Sequence, residues 1–478
     1  MTLLEQPVIL ASTAPAGAPA GIPHAAATLA IARLHVLLDT ATTQLQAPGV
    51  VVMSGSISGT PLIAFATDPT EQGGALGVEG CRAIAQATEL AVRRGIPIVG
   101  IWHSGGARLR EGVAALDAVG RLFAAQTQAS GRVPQLSVVL GPAAGGAAYG
   151  PALTDVVILG PHGRVFVTGP DVIRRVTGED VDMLRLGGPE PHGRRSGVVH
   201  VVAGSDDEAL TSAGRLAVLL HAQGTLDLDR VPARPDPSRN LATELRRAYD
   251  MRPLVTDILD EAGLELHAGW APNVLTVLGR LGGRTVGVVA NNPLRLGGCL
   301  DSAAAEKAAR FVRMCDAFGV PLVFVVDVPG YLPGATQEWD GVVRRGAKLL
   351  HAFAAASVPR VTVVVHKAFG GAYIAMGSRG LGADAVFAWP QAQIDVMGAP
   401  AAVEVLHRRE LAELQGAERL AVVDRLSTQH TAQTGGLQRA VDCGVVDAVI
   451  DPATTRSAVA AAIATARQTR GANANIPL

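Results

Sequence analysis

The sequence predicts an α/β protein made of two tandem copies of one domain. Three observations carry that reading. Landmarks recur in the same order in both halves, short Val/Ile/Leu runs have the look of strands buried on both faces, and helical apolar spacing fills the gaps between them. A length of 478 residues exceeds one ordinary core, and 48% hydrophobic against 17% charged residues can build more than one.

The repeat has five landmarks. Gly73-Gly74-Ala75-Leu76 leads to Gly95-Ile96-Pro97, and Gly297-Gly298-Cys299-Leu300 leads to Gly319-Val320-Pro321 at the same spacing. Val133-Pro134 and Val358-Pro359 each open an apolar run that meets a Gly-Gly pair, Gly145-Gly146 and Gly370-Gly371, again at one common distance from the Pro. Asp155 and Asp384 start further apolar runs, and Gly169 and Gly398 follow them at equal separation. Gly197-Val198-Val199-His200 finally matches Gly444-Val445-Val446-Asp447.

Each copy then reads element by element. Ile96–Trp102, Leu136–Leu140 and Val156–Leu159 are strands of a parallel-type sheet, and Leu322–Asp327, Val361–Val365 and Ala385–Trp389 are their counterparts. A helix precedes the first of these strands in each copy. In the second copy Asp301 or Ser302 caps it, and Ala308, Phe311, Val312, Cys315 and Phe318 line one face. In the first, Cys81, Ile84, Ala85 and Ala91 do so. Asp227–Ser238, rich in Asp, Pro and Arg, reads as the linker, which sets the domains at 28–235 and 240–478.

Composition excludes several classes. With Lys+Arg at 41 against Asp+Glu at 42, no general attraction to nucleic acid or anionic membrane is expected. No Lys or Arg precedes Arg33, so neither a secretory n-region nor an Arg-rich transit face is expected. Thr13–Ala27 reads as a loose Ala/Pro/Gly-rich tail. Val133–Thr154 is uncharged, but its prolines and glycines suit a buried strand and glycine loop better than a membrane span. Cys81, Cys299, Cys315 and Cys443 lack metal-ligand spacing, so no metal and a reducing, cytoplasmic setting are expected.

Ala144-Gly145-Gly146-Ala147 and Phe369-Gly370-Gly371-Ala372-Tyr373 each sit between a buried strand and a helix. Such loops leave backbone N–H groups free and admit close ligand approach, the requirements of an oxyanion hole. The plainer alternative is that the glycines serve only tight strand–helix packing. No Gly-Lys-Ser/Thr follows either loop, so neither is a P-loop. Gly141–Leu153 contains no ionisable residue but Tyr149, and Phe369–Ser378 none but Tyr373. His366 reads as a structural strand-end residue, and Ser104 is not in a nucleophile elbow. The expected chemistry therefore stabilises an oxyanion or enolate at two places and borrows its base from a substrate or cofactor.

The motifs GGALGVEG (Gly73–Gly80), HSGGARLREG (His103–Gly112), GPAAGGAAYGPALTD (Gly141–Asp155), FVTGPDVIRRVTGEDVD (Phe166–Asp182), QEWDGVVRRGAKLL (Gln337–Leu350) and KAFGGAYIAM (Lys367–Met376) carry a resemblance. The chain resembles the carboxyltransferase (beta) subunit of biotin-dependent acyl-CoA carboxylases, of the actinobacterial acetyl-/propionyl-CoA type. The resemblance implies two crotonase-type (ClpP/crotonase) domains and a ring-shaped homohexamer, in which the first domain of one protomer faces the second of another. It implies that Gly145 and Gly146 hold the acyl-CoA thioester oxygen, and that Gly371 and Ala372 stabilise the biotin ureido enolate. Ser104, Gly105, Gly106, Ala107 and Arg108 would lie near bound coenzyme A, with Tyr149, Tyr373 and Ile374 also in contact with substrate and Ile374 on the floor of the biotin and acyl pocket.

The implied mechanism accounts for the absent base. Carboxybiotin releases CO2, the biotin enolate takes the α-proton of acetyl- or propionyl-CoA, and the substrate enolate attacks CO2 to give malonyl- or methylmalonyl-CoA for fatty-acid synthesis. No Met-Lys-Met biotinylation site is present, so a biotinylated alpha subunit, carrying the biotin carboxylase and carboxyl carrier functions, is the expected partner. Competing readings are a biotin-dependent acyl-CoA decarboxylase subunit and a non-catalytic scaffold copy. A hydratase is disfavoured because its acid/base glutamates are missing.

Overall fold

The computed structural model describes residues 28–231, 248–434 and 436–477. The first copy contributes β1 (Thr40–Ala47), β2 (Val50–Ile57), β3 (Thr60–Thr67), β4 (Ile98–Ser104), β5 (Gln135–Ala144), β6 (Val156–Leu159), β7 (Arg164–Phe166) and β8 (Val201–Val202). The second contributes β9 (Leu264–Leu266), β10 (Val274–Leu281), β11 (Arg284–Asn291), β12 (Leu322–Val328), β13 (Arg360–Phe369), β14 (Ala385–Ala388), β15 (Gln393–Asp395) and β16 (Ala448–Val449). The sheets run β1-β2-β3-β4-β5-β6-β8 and β16-β14-β13-β12-β11-β10-β9, with β7 added to β5 and β15 to β13. One topology is thus used twice.

The landmarks have physical causes. Gly95 and Gly319 end the helices Val78–Arg94 and Ser302–Phe318 in the left-handed conformation. The carbonyls of Pro134 and Pro359 start the parallel ladders by accepting from Ile98 and Leu322. Asp155 and Asp384 each accept, at 2.8 Å, the N–H that opens the neighbouring strand, from Gln135 and Arg360. Asp301 caps the helix Ser302–Phe318 by accepting from Ala304 at 2.9 Å. The first copy has Gly77 at that position, and Glu111 accepts from Val78 at 2.7 Å instead.

The sheets differ from expectation at one edge. β3, β4, β5, β6 and β8 are parallel, but β1, β2 and β3 form an antiparallel meander, as do β9, β10 and β11. The connections are tight turns, such as Gly282-Gly283 with φ of 56° and 85°. That geometry matches strand twist and leads the chain straight back.

The copies share a core. Leu210, Leu216, Phe311, Val312 and Phe324 belong to one continuous apolar cluster, so the helix Ser302–Phe318 is buried on almost every side. The linker expected at Asp227–Ser238 begins as packed chain. Asp227 N–H donates to the Gly282 carbonyl, and Val231 joins the second copy's core. Residues 232–238 and the domain limits 235 and 240 lie outside the described residues, as does the Thr13–Ala27 tail. The C-terminal segment returns across the seam. Asn475 donates to buried Asp155 at 2.6 Å, while Arg310 donates to the carbonyls of Asn475 (2.7 Å), Ile476 (2.6 Å) and Thr154 (3.0 Å). No helix among the described residues is long and apolar enough to cross a membrane.

Candidate active site

Both glycine loops are built alike. β5 ends at Ala144, Gly145 turns at φ 57°, and the helix Gly146–Ala152 begins. β13 ends at Phe369, Gly370 turns at φ 59°, and Gly371 and Ala372 follow in the helix Gly370–Ala375. A side chain at either turning glycine would be strained. Gly145 does not offer its N–H to a ligand, because β7 lies beside β5 and the amide donates to the Phe166 carbonyl at 3.1 Å. The amides of Gly146 and Ala147 come next, and first-turn amides have no acceptor within their own helix. In repeat register these match Gly371 and Ala372.

The space around the loops differs. A Cβ on Gly371 would meet nothing within 4 Å, whereas one on Gly146 would lie 3.1 Å from Val119 Cγ1. Gly371 opens on a cavity of about 490 Å³ lined also by Tyr373, Ile374, Val396, Arg439 and Cys443. Burial pushes the Tyr373 phenol up to about 12, so it stays a neutral hydroxyl, and no described residue hydrogen-bonds its oxygen. On the first copy Tyr149 stands half-exposed, with its ring edge-on to Phe123 at 6.4 Å and 74°.

The segment Ser104–Arg108 abuts the first loop, since a Cβ on Gly106 would lie 3.0 Å from the Ala144 carbonyl. Its polar side chains face inward. Buried Ser104 accepts from the Gly106 N–H at 3.3 Å, and Gly105 N–H donates to the Gly73 carbonyl at 3.0 Å. Ala107 pairs with Leu76. Arg108 donates to the carbonyls of Ala75 (2.9 Å) and Pro48 (3.1 Å) and pairs with Glu111 (3.5 Å) and Glu71 (4.0 Å). In this structure Ser104 and Arg108 hold the loop in place rather than present polar atoms to a ligand.

Among the described residues, Asp395 is the one carboxylate lining the Gly371 cavity, where it accepts from the Val396 N–H at 2.6 Å and from the Thr434 hydroxyl at 3.4 Å. His366 Nδ1 lies 3.4 Å from the buried Asp327 carboxylate, which also accepts from Tyr249 (2.7 Å) and the Lys367 N–H (3.1 Å). Burial, and then Asp327, drives the Tyr249 phenol far above its ordinary range. The network is internally satisfied and braces the ends of β12 and β13. Among the described residues no group of three or more His, Cys, Asp or Glu could hold a metal ion.

The sequence reading missed Val119, Phe123 and the cavity wall from Val396 to Cys443. The first two look like ordinary helix-face residues. Val396, however, has a repeat counterpart in Val167, and the carbonyl of each faces its turning glycine, Gly370 and Gly145.

Two equivalent strand–glycine–helix turns on a twice-used α/β fold, with no ionisable residue in either loop but Tyr149 and Tyr373, have the backbone geometry that an oxyanion-stabilising enzyme requires. The carboxyl transferase domain family matches residues 32–475, and the chain belongs to that family and is a carboxyltransferase. It is 59% identical over 433 residues to the biotin-dependent acetyl-/propionyl-coenzyme A carboxylase beta6 subunit of Mycobacterium tuberculosis, covering 90% of this chain and 92% of the relative. It is 57% identical over 419 residues to the propionyl-CoA carboxylase beta chain of Rhodococcus erythropolis, covering 86% and 88%. The crystal structure of transcarboxylase 12S, a hexamer assembly with methylmalonyl-coenzyme A and methylmalonic acid bound, superposes with a TM-score of 0.84 at 39% identity, over 95% of this chain and 93% of that one. The similarity extends through both copies and confirms the expected tandem crotonase-type architecture.

Proposed function

We propose that this chain carries CO2 from carboxybiotin, held on a separate biotinylated alpha subunit, to the α-carbon of acetyl-CoA and propionyl-CoA, yielding malonyl-CoA and methylmalonyl-CoA for fatty-acid synthesis. The carrying observation is the doubled loop, which offers two sets of backbone donors and holds no ionisable residue in either loop but Tyr149 and Tyr373. The first loop receives the thioester oxygen of the acyl-CoA. Gly145 shapes the turn, and Gly146 with the next amide supplies the donors. The second loop, Gly371 and Ala372, receives the ureido oxygen. The cavity of about 490 Å³ that Gly371 lines, with nothing within 4 Å of where its Cβ would stand, leaves room for a small bicyclic ring. When bound, the carrier supplies the carboxyl group and the base. This chain fixes donors where negative charge develops, an effect worth about 3 kcal/mol per donor.

Self-association into a ring is part of the proposal. Val167 is 56% exposed and Val396 76%, each beside its loop, and apolar side chains left open at paired sites favour cover by a second subunit. The four cysteines among the described residues are free thiols, in keeping with a cytoplasmic setting. The test mixes the chain with a biotinylated alpha subunit, ATP and labelled bicarbonate, and compares acetyl-, propionyl- and butyryl-CoA. Label in an acid-stable acyl-CoA product is expected. A complex that forms but labels none of the three overturns the proposal.

A further inference from the structure

We infer that Tyr149 sets the acyl-length limit on the thioester side, an inference that rests on the carboxyl-transfer reading. The register of the repeat carries it. Tyr149 stands at i+3 from Gly146, as Ile374 does from Gly371, and position i+3 of a helix returns to the face of position i. In the second copy that position lines the cavity beside Gly371, with Ile374 45% exposed. In the first copy the same position holds a far larger side chain, which is 49% exposed despite its aromatic ring.

The ring is placed by packing. It meets the edge of Phe123, on the helix Val113–Ala129, one turn after Val119. Val119 is the side chain that faces Gly146. Val119 therefore lies under the thioester position, and the Tyr149–Phe123 pair stands beside it as an apolar wall. An acetyl or propionyl group ends short of such a wall, and a longer chain runs into the ring.

Tyr149→Ala and Tyr149→Phe are assayed in the complete complex with acetyl-, propionyl- and butyryl-CoA, with melting curves in parallel. One methylene changes discrimination by roughly 10–200-fold in a fitted pocket, so Tyr149→Ala should raise the butyryl/propionyl ratio of kcat/KM by about 10-fold or more. Tyr149→Phe should keep the wild-type ratio, because the wall acts by shape. Phe123→Ala, which frees the ring, should shift the ratio in the same direction by less. If Tyr149→Ala melts like wild type and slows all three substrates by one common factor, Tyr149 sets no limit. If Tyr149→Ala fails to fold, Tyr149→Leu takes its place under the same criterion. Failure of the wild-type complex to carboxylate any substrate would instead overturn the functional reading.

Discussion

Two adjacent glycines, Gly370 and Gly371, separate function from folding. Gly371 has ordinary backbone geometry, and an added Cβ would meet nothing within 4 Å. Gly371→Ala should therefore fold at least as well as wild type, since Ala exceeds Gly by about 1 kcal/mol in a helix interior and by less at a first turn. Gly371→Val fills the space where a ligand oxygen must approach the backbone. Losing one oxyanion donor costs about 3 kcal/mol, so carboxyl transfer should fall by ~100-fold or more with an unchanged melting curve. Gly370 behaves in the opposite way. Its φ of 59° and a Val396 carbonyl 2.9 Å from any Cβ predict that Gly370→Ala loses stability first, by about 1–2 kcal/mol from backbone conformation alone. The assay follows labelled bicarbonate into propionyl-CoA in the assembled complex, beside thermal melts of all three variants. Near-normal turnover in well-folded Gly371→Val would refute the donor assignment, whatever the Gly370 result.

Other outcomes follow from the same structure. Ile374→Asp sets a charge in the Gly371 cavity and should change the acetyl/propionyl ratio of kcat/KM more than it changes the melting temperature; an unchanged ratio returns Ile374 to a packing role. Asn475→Ala removes a donor from buried Asp155, which should cost about 1–3 kcal/mol in urea denaturation. His267 is held at about 3 by burial, with the Lys307 ammonium bonded to its own carbonyl at 2.9 Å and the His200 ring 4.1 Å away. The unfolded chain takes up that proton near pH 6.5 and the folded one does not. The contribution of His267 is thus full above 6.5 and falls on acidification by up to ~1.4 kcal/mol per pH unit; His200, equally buried, is also held well below its ordinary range, so His267→Gln should make the acid slope shallower rather than abolish it. Sedimentation of the isolated chain should show an oligomer, and a fully active monomer would contradict the shared-site reading.

The legible parts of the fold were those where burial acts on every residue of a run. Val156–Leu159 was placed to the residue, and β4, β5, β12, β13 and β14 within a few, because strands covered on both faces are apolar throughout. The meander escaped notice. β1 is Thr-Ala-Thr-Thr-Gln-Leu-Gln-Ala, largely exposed at a sheet edge, and such a run reads as loop. Its signal lay in the turns, Ser58-Gly59 and Gly282-Gly283, which force tight hairpins. At the site, the repeat located both loops. It could not reveal that Ser104 and Arg108 turn inward, since their partners are carbonyls of Ala75 and Pro48 and an N–H of Gly106, groups every residue has. Nor could it show that Gly145 spends its amide on Phe166, which depends on β7 lying beside β5.

Where the copies diverge, the divergence bears on which ligand each loop receives. Both keep the positive-φ glycine, the two following amides and the exposed valine beside the turn, Val167 or Val396. The glycine turn and the two amides are the parts an oxyanion requires. The parts that differ are those that measure size. Behind Gly146 stands Val119 at 3.1 Å from a would-be Cβ, while Gly371 faces open space continuous with a cavity. A thioester carbonyl is narrow and is followed by a flexible chain, so it suits the close floor and the Tyr149 wall. A ureido group is embedded in a rigid ring and needs more room, and the second loop is the one whose glycine leaves open space where a Cβ would stand, beside a cavity. This difference in shape is in keeping with the proposed assignment of acyl-CoA to the first copy and biotin to the second.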